Sequence, residues 1–188
     1  MIIHISGASG SGKSYLGNKL KKKLGKKVIV KDLDVLRDEF INKNYDTSKS
    51  WTFETKKYQK YINNFIKKQK KPIIFVGLND NSWERKNKKY YNLKSDYNYY
   101  IDIDDEKILK QKCKRFINSF LPDILNDYLD GKIEEKNIMN IIKDAVKECS
   151  KKETIKLNKI WKRDYKKQGY KFMTSDKIYK EVCKKILF

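Results

Sequence analysis

A glycine-rich segment, Gly7–Ser14, stands between two stretches of different periodicity. The residues before it, Met1–Ile5, form a short apolar run that is typical of a buried strand. After it, Leu16, Leu20 and Leu24 recur every four residues, which predicts a helix with one apolar face. A strand that passes through glycines directly into a helix favours a fold built from strand–helix–strand units.

The same alternation continues along the chain. Further strands are predicted at Val28–Val30, Pro72–Leu78, Tyr97–Ile103 and Tyr170–Met173. An amphipathic helix before Pro72 is marked by Trp51, Tyr58, Ile62, Phe65 and Ile66. Strands that alternate with helices predict an α/β fold with a parallel sheet covered on both faces. The length of 188 residues fits a single domain over residues 1–188.

Residues 104–168 interrupt this alternation, because they carry no strand signal. A helical stripe within them consists of Ile138, Ile141, Ile142, Ala145, Val146 and Cys149. The stretch 121–150 is acidic, whereas the chain as a whole carries a formal net charge of +21. We interpret residues 104–168 as a helical lid or insertion within the domain.

The glycine-rich segment also carries a chemical signal. The run Gly7-Ala8-Ser9-Gly10-Ser11-Gly12-Lys13-Ser14 matches G-x-x-x-x-G-K-[ST], the phosphate-binding loop. Its glycines let several backbone N–H groups point at phosphate oxygens, and the following helix adds the positive end of its dipole. Lys13 would reach the β- and γ-phosphates, and the Ser14 hydroxyl would bind Mg²⁺. The match predicts a nucleotide-binding protein.

Missing motifs narrow the class of nucleotide-binding protein. A Ras-like GTPase should carry D-x-x-G and N-K-x-D, and neither is present in the sequence. A motor-type ATPase would normally carry an aspartate at the end of its Walker B strand, whereas the third predicted strand of this chain runs into Gly77 and Leu78. These absences favour a small kinase.

Two carboxylates follow the second predicted strand. Asp32 and Asp34 stand at its carboxyl end, where ligands bind in open parallel sheets. One of them can accept the proton of an attacking hydroxyl, and another can hold magnesium through water. We take Asp34 as the catalytic base and Asp32 as the assisting, metal-binding residue. The alternative is that Asp32 only caps a helix that begins near Leu33.

The arginines form a second pattern, because only four of the 45 basic residues are arginine. Arg37 lies three residues after Asp34, Arg85 follows the third strand, and Arg115 falls late in the helix after the fourth strand. A guanidinium holds phosphate in a bidentate manner, whereas lysine acts as a point charge. We predict that Arg37 and Arg85 bind substrate and that Arg115 is catalytic. The alternative is that they are scattered surface residues.

The spacing from Lys13 to Asp32-Leu33-Asp34 resembles that of P-loop kinases of the nucleotide, shikimate and gluconate kinase type. In shikimate kinases such acids handle magnesium and substrate. Gly77, after the third strand, is compatible with the same group and joins the substrate-binding candidates. The resemblance implies a three-layer P-loop NTPase fold with a five-stranded parallel sheet, with ATP as donor and Mg²⁺ as cofactor.

A second resemblance is to the polynucleotide 5′-kinases. Asp34 and Arg37 have the residue types and the spacing of the D-x-x-R motif that follows the second strand in those kinases. The segment from Ile108 to Arg115 resembles their lid helix. The resemblance implies that Arg115 is a lid arginine that stabilises charge on the transferring group.

The expected function is transfer of the γ-phosphate of ATP to a small-molecule acceptor, which is a nucleoside, a nucleotide or another metabolite. One alternative, favoured by the charge of +21, is a kinase that acts on the 5′-hydroxyl ends of nucleic acid. Another is a non-catalytic, nucleotide-dependent binding module that uses the acidic segment as its partner surface.

The remaining composition bears on the compartment. Cys113, Cys149 and Cys183 are widely spaced with no C-x-x-C, which indicates a reducing compartment and argues against structural zinc. No apolar run approaches the ~20 residues of a membrane span, and the N-terminus does not resemble a secretory signal. We therefore expect a cytoplasmic protein without a membrane partner. The single histidine, His4, is expected to be a packed strand residue.

Overall fold

The computed structural model describes residues 1–46, 54–78 and 93–188. The chain divides into two compact units. The first contains Met1–Gly7, Gly12–Ile101 and Gly169–Phe188, and the second contains Ala8–Ser11 and Asp102–Gln168.

The first unit contains a five-stranded sheet in which every paired neighbour is parallel. Its strands are β1 (Ile2–Ser6), β2 (Ile29–Asp32), β3 (Ile73–Val76), β4 (Tyr97–Ile101) and β5 (Lys171–Met173). Each strand falls within two residues of the run predicted for it. The prediction of an α/β fold with a five-stranded parallel sheet is confirmed.

Four helices of the first unit cover the sheet: α1 (Lys13–Leu24), α2 (Leu33–Asn44), α3 (Thr55–Lys67) and α8 (Ser175–Leu187). Side chains of β3 alternate between two apolar clusters, because successive residues of a strand point to opposite faces. Ile74 and Val76 pack in a cluster with residues of α1 and α8. Ile73 and Phe75 pack in a cluster with residues of α2 and α3. Helices therefore cover both faces, which is compatible with a three-layer arrangement.

Helix α3 follows the predicted amphipathic pattern, since Tyr58 and Ile62 are its buried residues. Trp51, which was predicted to belong to the same helix, lies outside the described residues.

The strand order is β2-β3-β1-β4-β5. The chain leaves β1 for β2, returns through β3 beside β1, and then continues to β4 on the other side of β1. The loop after β1 therefore begins where the strand order reverses, and ligands bind at such points in open α/β sheets. Because the strands are parallel, the carboxyl ends of β1, β2 and β3 lie along one edge. This edge carries Gly7, Asp32 and Gly77.

The second unit is helical over residues 105–167, apart from two short connections. Its helices are α4 (Asp105–Arg115), α5 (Leu121–Leu129), α6 (Glu135–Glu148) and α7 (Lys151–Lys167), with a π-helical turn (Phe116–Phe120) between α4 and α5. Polar contacts join the start of α4 to α7, because Asn158 donates to Asp105 and Lys162 lies 2.7 Å from Asp102. That this helical region acts as a lid stays a prediction.

None of the helices in the described part of the chain combines the length and the apolar character needed to cross a membrane.

Helix α1 packs closely against the sheet at Gly17, which leads to a stability prediction. A Cβ atom at this position would lie 3.1 and 3.2 Å from the two methyl carbons of Val76. We expect Gly17→Leu to lower the free energy of unfolding by about 1–3 kcal/mol, because the larger side chain forces α1 away from β3. Urea unfolding measures this change.

Asn18→Leu is the matched control, since Asn18 is exposed on the same helix. Its free energy of unfolding should change by no more than about 0.5 kcal/mol. Equal stability of the two variants would contradict the packing of Gly17 against Val76.

Candidate functional site

The loop after β1 enters α1 through a glycine in a left-handed conformation. Gly12 has φ 85°, and its carbonyl accepts the first helical hydrogen bond from the Leu16 N–H at 3.0 Å. A residue with a side chain is strained at this φ, which explains why glycine precedes the lysine. The Lys13 ammonium donates to the Gly7 carbonyl at 2.9 Å. The cation therefore lies at the start of the loop, beside the N-terminus of α1.

The central residues of the loop, Ala8–Ser11, belong to the second unit and form a tight turn. The Ser11 N–H donates to the Ala8 carbonyl at 3.0 Å, and Gly10 has φ 82°. A Cβ atom at Gly10 would lie 3.0 Å from Lys112 Cγ and 3.2 Å from the Ile108 carbonyl oxygen. Gly10 is therefore required both by its backbone conformation and by the close approach of α4.

The Ser11 side chain is buried within this turn. Its hydroxyl has no hydrogen-bond partner among the described residues. A buried polar group in this state normally receives a partner from water or from a ligand.

Ser14 and Asp32 meet at the sheet edge of the first unit. The Ser14 hydroxyl donates to Asp32 Oδ2 at 3.0 Å. The other carboxylate oxygen, Oδ1, accepts from the Asp34 N–H at 2.9 Å and so caps α2. Asp32 is therefore a helix cap and also a neighbour of the Ser14 hydroxyl, so the two interpretations of this residue are compatible.

Asp34 and Arg37 lie in the first turns of α2. Arg37 Nη2 is 3.1 Å from Asp34 Oδ1, an ion pair between residues three apart on a helix. The Asp34 side chain is 55% exposed, so its carboxylate remains accessible to a small molecule. The ion pair also orients the two side chains, which were predicted as base and substrate-binding residue.

Tyr58 holds the beginning of α2 in place, which sequence reasoning did not anticipate. Its buried hydroxyl donates to the Leu33 carbonyl at 3.2 Å. Leu33 stands between Asp32 and Asp34 in the sequence. Burial is the main cause that raises the pKa of this hydroxyl, and it stays a protonated donor. The sequence indicated only that Tyr58 belongs to the apolar face of a helix.

Gly77 occupies a tightly packed position at the end of β3. It has φ 134°, and a Cβ atom there would lie 3.0 Å from Leu33 Cβ and 3.6 Å from Asp32 Oδ1. The absence of a side chain at Gly77 therefore lets α2 begin directly against the end of β3. The predicted contact of Gly77 with substrate stays a prediction.

His4 is fully buried in β1, in agreement with the expectation of a packed strand residue. Its Nε2 lies 3.2 Å from the Gly77 carbonyl, and its Nδ1 lies 2.5 Å from the Tyr170 hydroxyl. A carbonyl only accepts, so the neutral ring donates from Nε2 and accepts from Tyr170 at Nδ1. His4, in the middle of β1, thus connects the end of β3 with the start of β5.

The remaining predicted residues are in different parts of the chain. Arg115 is the last residue of α4, and with Ser9 it lines a cavity of the second unit. Arg85 lies outside the described residues. Arg163, which had no predicted role, pairs with its neighbour Asp164 at 3.1 Å.

No group of three or more His, Cys, Asp or Glu side chains that could hold a metal ion occurs in residues 1–46, 54–78 and 93–188. A Mg²⁺ site is usually of another kind, with one or two protein ligands completed by phosphates and water.

Comparisons with known proteins do not assign the chain to a family. No protein-family model matches it, and no curated protein matches it. Among solved structures, it is similar to the crystal structure of an uncharacterized protein from Eubacterium ventriosum ATCC 27560. The two share 14% identity with a TM-score of 0.46, over 99% of this chain and 98% of that chain. A likeness of this degree supports no statement about function.

The burial of His4 predicts a specific pH dependence of stability. The pKa of His4 is lowered from 6.5 to about 4, mainly because burial removes the ring from water. The hydrogen bond to the Gly77 carbonyl acts in the opposite direction, and the nearby Lys13 charge contributes to the lowering. Below pH 6.5 the unfolded chain therefore binds a proton at His4 that the folded chain does not bind. As the pH falls from 6.5 to 4, this difference should reduce the free energy of unfolding by on the order of 3 kcal/mol.

The measurement compares urea unfolding of the wild type with that of His4→Gln at several pH values. The carboxylates contribute equally to the pH dependence of the unfolding free energy in both proteins. His4 is the only histidine of the chain, so a difference between the two pH profiles reports on this residue. The difference in unfolding free energy between the proteins should narrow as the pH falls from 6.5 to 4. Parallel curves would show that His4 has an ordinary pKa.

Proposed function

We propose that the chain is a Mg²⁺-dependent phosphotransferase that moves the γ-phosphate of ATP to a small-molecule acceptor. The observation that carries the proposal is the 3.0 Å contact between the Ser14 hydroxyl and the Asp32 carboxylate, directly after Lys13 at the start of α1. A cation, a hydroxyl and a carboxylate are thus gathered at the carboxyl edge of the sheet, where the strand order reverses.

Lys13 and the loop supply the phosphate-binding groups in this proposal. The loop Gly7–Ser14 contributes backbone N–H groups beside the positive end of the α1 dipole. The Lys13 ammonium would exchange its contact with the Gly7 carbonyl for the phosphate oxygens. Helix α1 has no acidic residue in its first turn, so no carboxylate of that turn opposes an anion.

Ser14 and Asp32 fit a magnesium site. Their oxygens are the hard ligands that Mg²⁺ prefers, and the ion commonly takes one or two protein ligands together with phosphate oxygens. When bound, Mg²⁺ neutralises part of the charge on the phosphates. Asp32 would keep its second oxygen on the Asp34 N–H, so binding does not require α2 to lose its cap.

Asp34 is the proposed base. The acceptor oxygen attacks the γ-phosphorus, the bond to the bridging oxygen of ADP breaks, and the hydroxyl proton passes to the Asp34 carboxylate. Arg37, held beside Asp34, is positioned to bind an anionic group of the acceptor. Arg115 takes the role of the charge-stabilising arginine, an assignment that rests on the resemblance to polynucleotide 5′-kinases. The substrate-binding roles of Gly77 and Arg85 are likewise proposals.

The first test is transfer of label from γ-labelled ATP in the presence of Mg²⁺. The acceptors are pooled nucleosides, nucleotides and sugar acids, with a 5′-hydroxyl oligonucleotide as a separate arm. We expect a labelled small product, and Lys13→Ala should reduce its formation by at least about 100-fold because an electrostatic donor is lost. Lys22→Ala, an exposed lysine on the same helix, should leave the rate unchanged.

Two outcomes would contradict the proposal in different ways. Label on the oligonucleotide alone would identify a kinase of nucleic-acid ends and would give the net positive charge of the chain a role in binding. Label on no acceptor, with ATP bound, would indicate a binding module.

Asp34→Asn separates an enzyme from a binding module. The substitution removes the proton acceptor and should lower turnover by about 100-fold or more, while ATP affinity stays within a factor of about three. Asp32→Asn is the companion variant, because asparagine caps a helix as well as aspartate does. It should retain the unfolding free energy and lose Mg²⁺-dependent turnover. Full turnover in Asp34→Asn would remove this residue from the mechanism.

A further inference from the structure

Two of the three cysteines are neighbours in the second unit, although they are 36 positions apart in the sequence. Cys113 lies in the last turn of α4, and Cys149 is the residue at which α6 ends, two positions before α7 begins. The Cys113 Sγ lies 3.9 Å from the Cys149 carbonyl oxygen. Both side chains are partly buried and in the reduced form. The fold therefore brings two thiol-bearing residues together at one place.

The antiparallel packing of α4 against α7 explains why the two cysteines meet. Asp102, just before α4, lies 2.7 Å from Lys162 of α7. About one turn further along α4, and one turn back along α7, Asp105 accepts a hydrogen bond from Asn158. The same antiparallel register, continued for about two more turns, arrives at the cysteine contact. This contact therefore follows from the pairing of two helices.

The backbone of Cys149 is fixed on both sides by helix caps. Its N–H donates to the Ala145 and Val146 carbonyls at 3.2 and 3.0 Å, which ends α6. Ser150 caps α7, because its hydroxyl accepts from the Glu153 N–H at 3.2 Å. A residue that is ordered in this way has little backbone entropy left to lose when its side chain forms a covalent bond. The folded second unit therefore holds the cysteine pair in place before any reaction.

The surroundings of Cys149 favour reaction at its sulfur. Cys149 lines a cavity of about 300 Å³ whose lining includes Lys112 and Arg115, both from the last turn of α4. Cysteine reacts as the thiolate, which neighbouring cations stabilise, and reactive cysteines lie partly exposed in electropositive surroundings. The cavity also leaves room for a small oxidant. Cys149 is therefore the member of the pair that is expected to react first.

We propose that Cys113 and Cys149 form an oxidation site at which a peroxide converts the two thiols into a disulfide. The Cys149 thiolate attacks one oxygen of hydrogen peroxide, so that an S–O bond forms, the O–O bond breaks and hydroxide leaves. The Cys113 thiol then attacks the sulfur of this sulfenic acid. The S–S bond forms, the S–O bond breaks, and the oxygen leaves as water with the thiol proton. The two sulfurs together lose two electrons, which the peroxide accepts.

The disulfide would enclose α5 and α6 in a covalent loop and join the last turn of α4 to the start of α7. Disulfides inside cells are usually transient and redox-sensing, so the pair is compatible with a reducing compartment. Because the loop restricts the unfolded chain, we expect oxidation to raise the Tm by about 5 °C or more. A Tm that stays equal or falls would show that the bond strains the α4–α7 packing and would overturn the proposal. None of this depends on phosphate transfer.

The direct test treats the reduced chain with hydrogen peroxide, blocks the remaining thiols with N-ethylmaleimide in urea, and digests the protein without reductant for peptide mass spectrometry. We expect linked peptides that contain Cys113 and Cys149, lighter by two hydrogen atoms and separated again by dithiothreitol. Cys183, which packs in the apolar cluster of α1 and α8, is the internal reference and should remain a thiol. Absence of this link would overturn the proposal, whether the thiols are unreacted, converted to sulfinic acid or joined to Cys183.

Cys113→Ser tests the second step, because it removes the thiol that reacts with the sulfenic acid. Dimedone, which labels sulfenic acids, should then label Cys149 at least about fivefold more than in the wild type. Cys183→Ser is the matched control and should form the link at the wild-type rate. Equal dimedone labelling of Cys149 in the wild type and in Cys113→Ser would show that Cys113 does not resolve the sulfenic acid, and would overturn the proposal.

Arg115→Gln tests the first step, because it removes one cation beside Cys149. The rate of peroxide oxidation of Cys149 should fall by about threefold or more. Arg163→Gln is the matched control, since it makes the same charge change at an exposed arginine of α7, and it should leave the rate unchanged. Equal rates in the two variants would overturn the assignment of Cys149 as the residue that reacts first.

Discussion

The carboxylate of Asp32 joins the two elements that form the candidate site in the first unit. One oxygen caps α2 and the other accepts from Ser14 in the first turn of α1. The positions of Asp34 and Arg37 depend on this cap, because both lie in the helix that it begins. Gly77 is part of the same arrangement, since any side chain there would displace Leu33 from the end of β3. The geometry of the site therefore depends on one acidic residue and one glycine.

The parallel sheet explains why these residues meet although they are far apart in the chain. Parallel strands place their carboxyl ends at one edge of the sheet. Gly7, Asp32 and Gly77 therefore lie along the same edge although they are far apart in sequence. His4 strengthens this edge, because its two ring nitrogens connect the Gly77 carbonyl and the Tyr170 hydroxyl inside the core. A neutral, buried histidine is well suited to this role, since it donates and accepts at the same time without carrying a charge.

Much of the fold was predictable because its signals are local. An apolar run such as Ile73–Val76 has few alternatives to a buried strand, and the predicted repeat of Leu16, Leu20 and Leu24 is the buried face of α1. The roles of Gly77 and Tyr58 were not predictable, because they depend on the approach of elements that are distant in sequence. Sequence reasoning could place Gly77 after a strand but could not show that Leu33 lies against it.

The π-helical turn has a local signal that the sequence analysis did not use. The segment Phe116–Phe120 contains no glycine or proline, but Pro122 follows it, and a proline ring within a helix clashes with the carbonyl four residues earlier, which here belongs to Asn118. Arg115 was predicted to be functional because arginine is rare in this chain, and Arg37, which was chosen on the same ground, pairs with Asp34 on α2. Arg163 shows why rarity alone is insufficient, since within residues 1–46, 54–78 and 93–188 its ion pair is with the adjacent carboxylate of Asp164. What distinguishes Arg115 is its surroundings: the cavity beside it combines a second cation, two aromatic rings and a residue of the glycine-rich loop.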